Sequence, residues 1–94
     1  MLTVTRTASE MISRLTAEAD LPPDGGLRIA QRDDPSCLRM ALVAAPDRWD
    51  SIVIAGRARV FLDEQAAARL ARGRLDGRSG STGSSFFLDE DLPS

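Results

Sequence analysis

The hydrophobic pattern changes period several times along the chain. Leu2 and Val4 alternate with Thr3 and Thr5, the period-two pattern of a short strand. Ala8, Ile12, Leu15 and Ala19 then recur at helical spacing with Met11 beside them, and predict a helix over about residues 8–19. Thr7-Ala-Ser-Glu10 has the form of a capping box, in which the Thr7 hydroxyl accepts from the Glu10 N–H and the Glu10 carboxylate reaches back. The DLPPDGG run from Asp20 to Gly26 is a turn: two prolines forbid helix and two glycines allow a new direction.

Strand-like alternation follows. Leu27 and Ile29 alternate with Arg28 and Ala30, and Leu38, Met40 and Leu42 with Arg39, Ala41 and Val43. A polar loop from Gln31 to Ser36 separates the two runs. Ala45 to Arg48 breaks the second one, Ile52 to Ile54 starts another strand, and Gly56 marks a turn before a strand over Arg59 to Leu62. Asp63 is the expected N-cap of a second helix, with Glu64 in its first turn, Arg69 and Arg72 near its end and Gly73 as terminator. The glycine- and serine-rich stretch from Gly77 to Ser85 reads as an irregular loop or a twisted pair of strands. Phe86 to Leu88 returns as a last strand, and the acidic segment from Asp89 to Ser94 is expected to fray.

The order is strand, helix, several strands, helix, strand. It predicts an α+β fold: a small mixed or mainly antiparallel sheet with two helices, in one domain over residues 1–94 with an ordered core of about 2–88. The absence of regular helix–strand alternation argues against a doubly wound parallel sheet.

Composition narrows the classes. The 94 residues are 43% hydrophobic and 28% charged, as in a globular domain with one modest core. Net charge is −2 and the pI is near 5.0, so no overall basic field favours nucleic acid or an anionic membrane. All twelve basic side chains are arginine. No apolar run is long enough to span a bilayer and the first residues lack an apolar signal core, so the expected location is cytoplasmic. There is one cysteine, Cys37, and no histidine. That excludes an intrachain disulfide and any serine–histidine relay. With no cofactor motif either, an enzyme is not expected; the Gly77–Ser85 stretch lacks the Gly-Lys-Ser/Thr ending of a phosphate loop.

Trp49 lies in a Pro46-Asp-Arg-Trp-Asp50 turn. Its ring either covers the edge of a small core or anchors a partner, because tryptophan is enriched at interface hot spots. On the second reading Arg48 and Arg57 rim the same partner-binding patch.

The motifs in order are LTVT, a helix, GGLRIA, a cysteine after a loop, Asp50 ahead of Ile52-Val53, Gly56, Val60 to Asp63, a second helix, and Gly83-Ser84-Ser85-Phe86. This arrangement resembles the A-type iron–sulfur carrier family, also called HesB/IscA-like, over nearly the whole chain. The resemblance implies that family's fold. Members that carry clusters have one cysteine after the second strand, in a glycine-rich loop, and a Cys-x-Cys pair near the C-terminus. Cys37 falls near the first position, one residue displaced, with Ser36 competing for it and Asp33-Asp34-Pro35 in place of glycines. No cysteine occurs from Phe86 to Ser94.

A [2Fe–2S] cluster takes about four protein ligands, mostly thiolates. One chain offers Cys37, and Asp33 and Asp34 are harder donors that hold such clusters less well. Iron or an iron–sulfur cluster is therefore expected only with ligands from a second chain or a partner. Cys37, Asp33 and Asp34 are the metal candidates. The competing readings are a solvated turn before Pro35 for the aspartates, and for Cys37 a small buried residue or a thiol activated by Arg32 and Arg39. The leading expectation is a degenerate carrier homologue that acts in iron–sulfur cluster assembly through assembly or recipient proteins, as a weak homodimer. The alternative is a protein-interaction or regulatory module on the same fold, without metal.

Overall fold

The structure is a computed structural model and describes residues 1–31 and 38–89. In chain order its elements are β1 (Thr3–Val4), α1 (Arg6–Glu18), β2 (Gly26–Gln31), β3 (Leu38–Val43), β4 (Ser51–Ala55), β5 (Ala58–Leu62), α2 (Glu64–Arg69), β6 (Arg74–Gly80) and β7 (Gly83–Asp89). The strands form a three-stranded sheet, β1-β6-β7, and a four-stranded sheet, β3-β2-β5-β4. β1 runs parallel to β6 and β2 parallel to β5, while every other pairing is antiparallel. This is the α+β class with mixed sheets and two helices that the pattern predicts.

α1 starts two residues earlier than expected, at Arg6. Thr5 is the N-cap, because the sheet holds the chain extended up to that residue: the Thr5 N–H donates to the Leu75 carbonyl at 2.9 Å. Its hydroxyl accepts from the Ala8 N–H at 3.2 Å and donates to Asp76 Oδ1 at 2.8 Å. Glu10, freed from the predicted capping box, pairs instead with Arg6 at 3.1 Å. At the other end Asp20 is left-handed (φ 57°). Its N–H donates to the Ala17 carbonyl and the Leu21 N–H to the Thr16 carbonyl, both at 3.1 Å, which is a Schellman cap with aspartate in glycine's usual place. Pro22 and Pro23 lie beyond it. The second helix starts as the sequence predicts but ends early, at Arg69 with Leu70 as its C-cap, so Arg72 and Gly73 lie beyond it. Asp63 caps it, with Oδ1 accepting from the Ala66 N–H at 2.7 Å and Oδ2 from the Gln31 N–H at 3.1 Å.

Period two in β2 and β5 builds the centre of the core. Leu27 is paired with Val60 and Ile29 with Leu62, all facing Ala8 and Ile12 of α1, with Leu70 and Leu75 closing the cluster. Between Val60 and Leu62, Phe61 points to the opposite face, where its register neighbours are Arg28 and Ile52. It is nevertheless fully buried, so both faces of the four-stranded sheet are covered at this point. β3 is an edge strand. Leu38 and Leu42 pack partly against the core, whereas Met40 between them is exposed.

Of the two readings of the stretch from Gly77 to Ser85, the pair of strands holds and the irregular loop does not. The stretch lies in a regular hairpin, in register from Arg74–Asp89 to Gly80–Gly83, turning at Ser81-Thr82. Gly77 is a packing glycine within it: a Cβ there would fall 2.5 Å from Met11 Sδ and 3.3 Å from Ala8 Cα. Its missing side chain lets α1 lie against β6. Asp89, expected at the start of a frayed tail, is the last residue of β7 and pairs with Arg74 at 3.1 Å; the rest of that tail lies outside the described residues. Among the described residues no helix is long and apolar enough to cross a membrane.

Candidate functional site

Arg28 on β2 and two aspartates of the turn ahead of β4, Asp47 and Asp50, form a polar cluster. Arg28 stands on β2 between two core residues and so points to the opposite face of its sheet. Its Nε donates to Asp50 Oδ2 at 2.8 Å and its Nη2 to Asp50 Oδ1 at 3.0 Å, a bidentate pair. The same Nη2 lies 3.0 Å from Asp47 Oδ2. Asp50 closes the turn itself: its Oδ2 accepts from the Asp47 N–H at 2.9 Å, and its own N–H donates to the Asp47 carbonyl at 3.1 Å. The Asp50 side chain is only 2% exposed. Arg28's hydrogen bonds hold its carboxyl below the ordinary carboxylate range, against an opposing effect of burial.

This clasp fixes residues 47 and 50 and turns outward the two between them. Trp49 is 79% exposed, so its ring does not cover the core edge. The clasp is the reason: with Asp47 and Asp50 both drawn to Arg28, the tip of the turn faces solvent. The Arg48 guanidinium lies over the Trp49 ring, 5.2 Å from its centroid. Ile52 and Ile54 continue an apolar row along β4, 47% and 65% exposed, while Val53 between them is buried.

Arg57 is elsewhere. It sits in the turn that joins Ala55 to Ala58, at the far end of β4 from Trp49. A five-residue strand is about 17 Å long, so Arg57 does not rim the Trp49 patch. The structure thus brings Arg48 to Trp49 and separates Arg57 from both. Arg28, Asp47 and Asp50 were not anticipated as a cluster. The Asp-x-x-Asp spacing around Trp49 hinted at a closed turn, but nothing in the sequence couples position 28 to position 50.

Cys37, Asp33 and Asp34 lie outside the described residues. Gln31 and Leu38, the described residues on either side of that segment, are register partners at the end of β2 and β3. Gln31 is also tied to Asp63 at the start of α2. Among the described residues no three histidine, cysteine, aspartate or glutamate side chains gather as metal ligands. The 94 residues offer a single thiol and no imidazole, whereas a [2Fe–2S] cluster takes about four protein ligands, mostly thiolates.

No protein-family model matches this sequence, and no curated protein does. Solved structures match over almost the full chain. IscA, in a crystal structure with a [2Fe–2S] cluster, superposes with a TM-score of 0.76 over 96% of this chain and 85% of its own, at 22% identity. Escherichia coli SufA, involved in the biosynthesis of iron–sulfur clusters, gives 0.77 over 95% and 84%, also at 22% identity. A protein from Aquifex aeolicus, solved by NMR, gives 0.68 over 94% and 89% at 17% identity. The chain therefore has the fold of the A-type iron–sulfur carriers, as the order of its motifs implied. Its two helices and its three- and four-stranded sheets are built to the plan shared by IscA and SufA.

Proposed function

We propose that this chain works in iron–sulfur cluster biogenesis as a carrier homologue that does not hold a cluster by itself. The reading rests on one combined observation: near-complete structural likeness to IscA, which has been seen with a [2Fe–2S] cluster, in a chain with a single cysteine and no histidine. The cluster is cargo here. Cys37 supplies one soft donor, Asp33 and Asp34 supply hard ones, and a second copy adds one more thiol. The remaining ligands come from an assembly or recipient protein, or from a free thiol. The protein is a cytoplasmic, weakly homodimeric binding protein rather than an enzyme.

Anaerobic reconstitution with ferrous iron and sulfide tests this. The protein alone is expected to stay without the visible charge-transfer bands of a cluster after desalting. Bands appear when a thiol-bearing partner is added, and the Cys37→Ser variant abolishes them. A stoichiometric cluster held firmly by the isolated protein would overturn the proposal.

A second reading is favoured by Trp49. A tryptophan held outward by a buried Arg28–Asp50 pair is what an interaction module without metal would present. A partner that binds equally well to wild type and Cys37→Ser, and loses affinity in Trp49→Ala, would support that reading instead.

A further inference from the structure

A groove runs between α1 and the β4–β5 turn, on the side of the molecule that the preceding proposals leave unused. We infer that it binds a small organic anion, a phosphate or carboxylate carried on an apolar body.

The groove has two arms that share Ser13 and Arg57. One arm, about 290 Å³, is walled mainly by apolar groups, among them Leu21, Pro22, Pro23 and Ala58. The other, about 420 Å³, has charged and hydroxyl-bearing residues in its wall, Arg6, Ser9, Glu10 and Arg14. Volumes of this order suit a small ligand. Ser9 sets the spacing of the two walls. Its hydroxyl donates to the Ala55 carbonyl and lies 3.3 Å from where a Cβ on Gly56 would be, so the turn is pinned against the helix.

Charge distinguishes the second arm. Three arginines and one glutamate line it, and that glutamate, Glu10, is paired with Arg6 at 3.1 Å. Arg14 reaches Glu18 at 4.0 Å and donates to Ser84 and Ser79, at 2.9 and 3.3 Å. Asp24, beside the apolar arm, is directed to Arg59 at 3.7 Å. That leaves the two shared groups. Among the described residues neither the Arg57 guanidinium nor the Ser13 hydroxyl has a hydrogen-bond or ion-pair partner, and both stand where the arms meet. An anionic head between them would gain charge-assisted hydrogen bonds. Its apolar body would fill the arm lined by the prolines. A neutral ligand gains only the second part, and bare phosphate only the first.

The test is a titration of ¹⁵N-labelled full-length protein with phenyl phosphate, benzoate, inorganic phosphate and phenol, read by amide chemical shifts. Phenyl phosphate or benzoate is expected to shift Ser9, Ser13, Gly56 and Arg57 saturably, with a Kd of roughly millimolar order. The tighter of the two names the head group. Phenol and inorganic phosphate should each bind at least about tenfold more weakly. Arg57→Gln, a change at an exposed turn, should weaken phenyl phosphate binding about tenfold while amides remote from the groove keep their shifts. Ser13→Ala, on the helix side, is the second variant and should weaken it by a smaller factor. Phenol binding as tightly as phenyl phosphate, shifts spread over all arginines without saturation, or unchanged affinity in both variants would each overturn the inference. None of these outcomes depends on whether the chain handles clusters.

Discussion

Arg28 meets two carboxylates at once, and its environment makes that pair sensitive to acid. The Asp50 carboxyl is held below its ordinary pKa chiefly by Arg28's hydrogen bonds, and Arg28 is correspondingly raised. A carboxyl with a depressed folded-state pKa adds stability that is fully present above the unfolded value. That stability is lost as pH falls through the folded value. Asp76 shifts the same way, held down by the Thr5 hydroxyl and then by the Gly77 N–H, so acid acts at two places. Replacing Asp50 separates them. Asp50→Asn is expected to cost about 2 kcal/mol at neutral pH, the worth of hydrogen bonds to a charged group in a largely buried site. The gap between variant and wild type should close as pH drops below the ordinary carboxylate range. Urea unfolding midpoints at about pH 7 and pH 2 measure both terms. A gap that persists undiminished in acid would mean that Asp50 acts through shape rather than charge.

Glycines decide how closely the elements approach, and the sequence does not say which ones do. Gly26 opens β2, between β3 and β5. A Cβ there would come 2.1 Å from the Arg59 carbonyl oxygen, a backbone atom of the neighbouring strand that cannot turn aside. Gly80, near the hairpin tip, has nothing within 4 Å of the same added atom. Gly26→Ala is therefore expected to destabilise by about 3 kcal/mol, and Gly80→Ala by less than about 0.5 kcal/mol. Thermal unfolding of the two variants checks the contrast. Equal effects would show that strand propensity, and not the approach of β2 to β5, sets the cost.

The molecule as a whole closes through parallel pairings between distant parts of the chain. β1 lies beside β6, and the N-terminal ammonium donates to the Ala71 carbonyl at 2.6 Å. One edge of the four-stranded sheet is at β4. Trp49, Ile52 and Ile54 expose apolar surface there on a rigid strand and a clasped turn. Such surface suits a weak contact between copies. Sedimentation velocity over a range of concentrations is expected to show a reversible monomer–dimer equilibrium. Ile54→Lys and Trp49→Ala should move it toward monomer without lowering the unfolding temperature, since both side chains are largely solvated. A strict monomer at high concentration would remove the dimer from the functional proposal.

Periodicity and turn chemistry were enough to read most elements. Leu27 and Ile29 declared their strand, Asp63 declared its cap, and the order of motifs carried the resemblance to the A-type carriers. These features depend on neighbours a few residues apart. The single cysteine and the absence of histidine were equally plain, because such a count needs no coordinates. The rest came from groups distant in sequence. Thr5 replaced Thr7 as the cap because β6 holds the chain extended to that point. Gly77 became a contact rather than a loop because α1 lies on it. Arg28 found Asp50, Trp49 was turned outward, and Arg57 was carried to the far end of β4 and into the groove beside Ser13. Each outcome depends on which elements meet, and a linear pattern does not encode that.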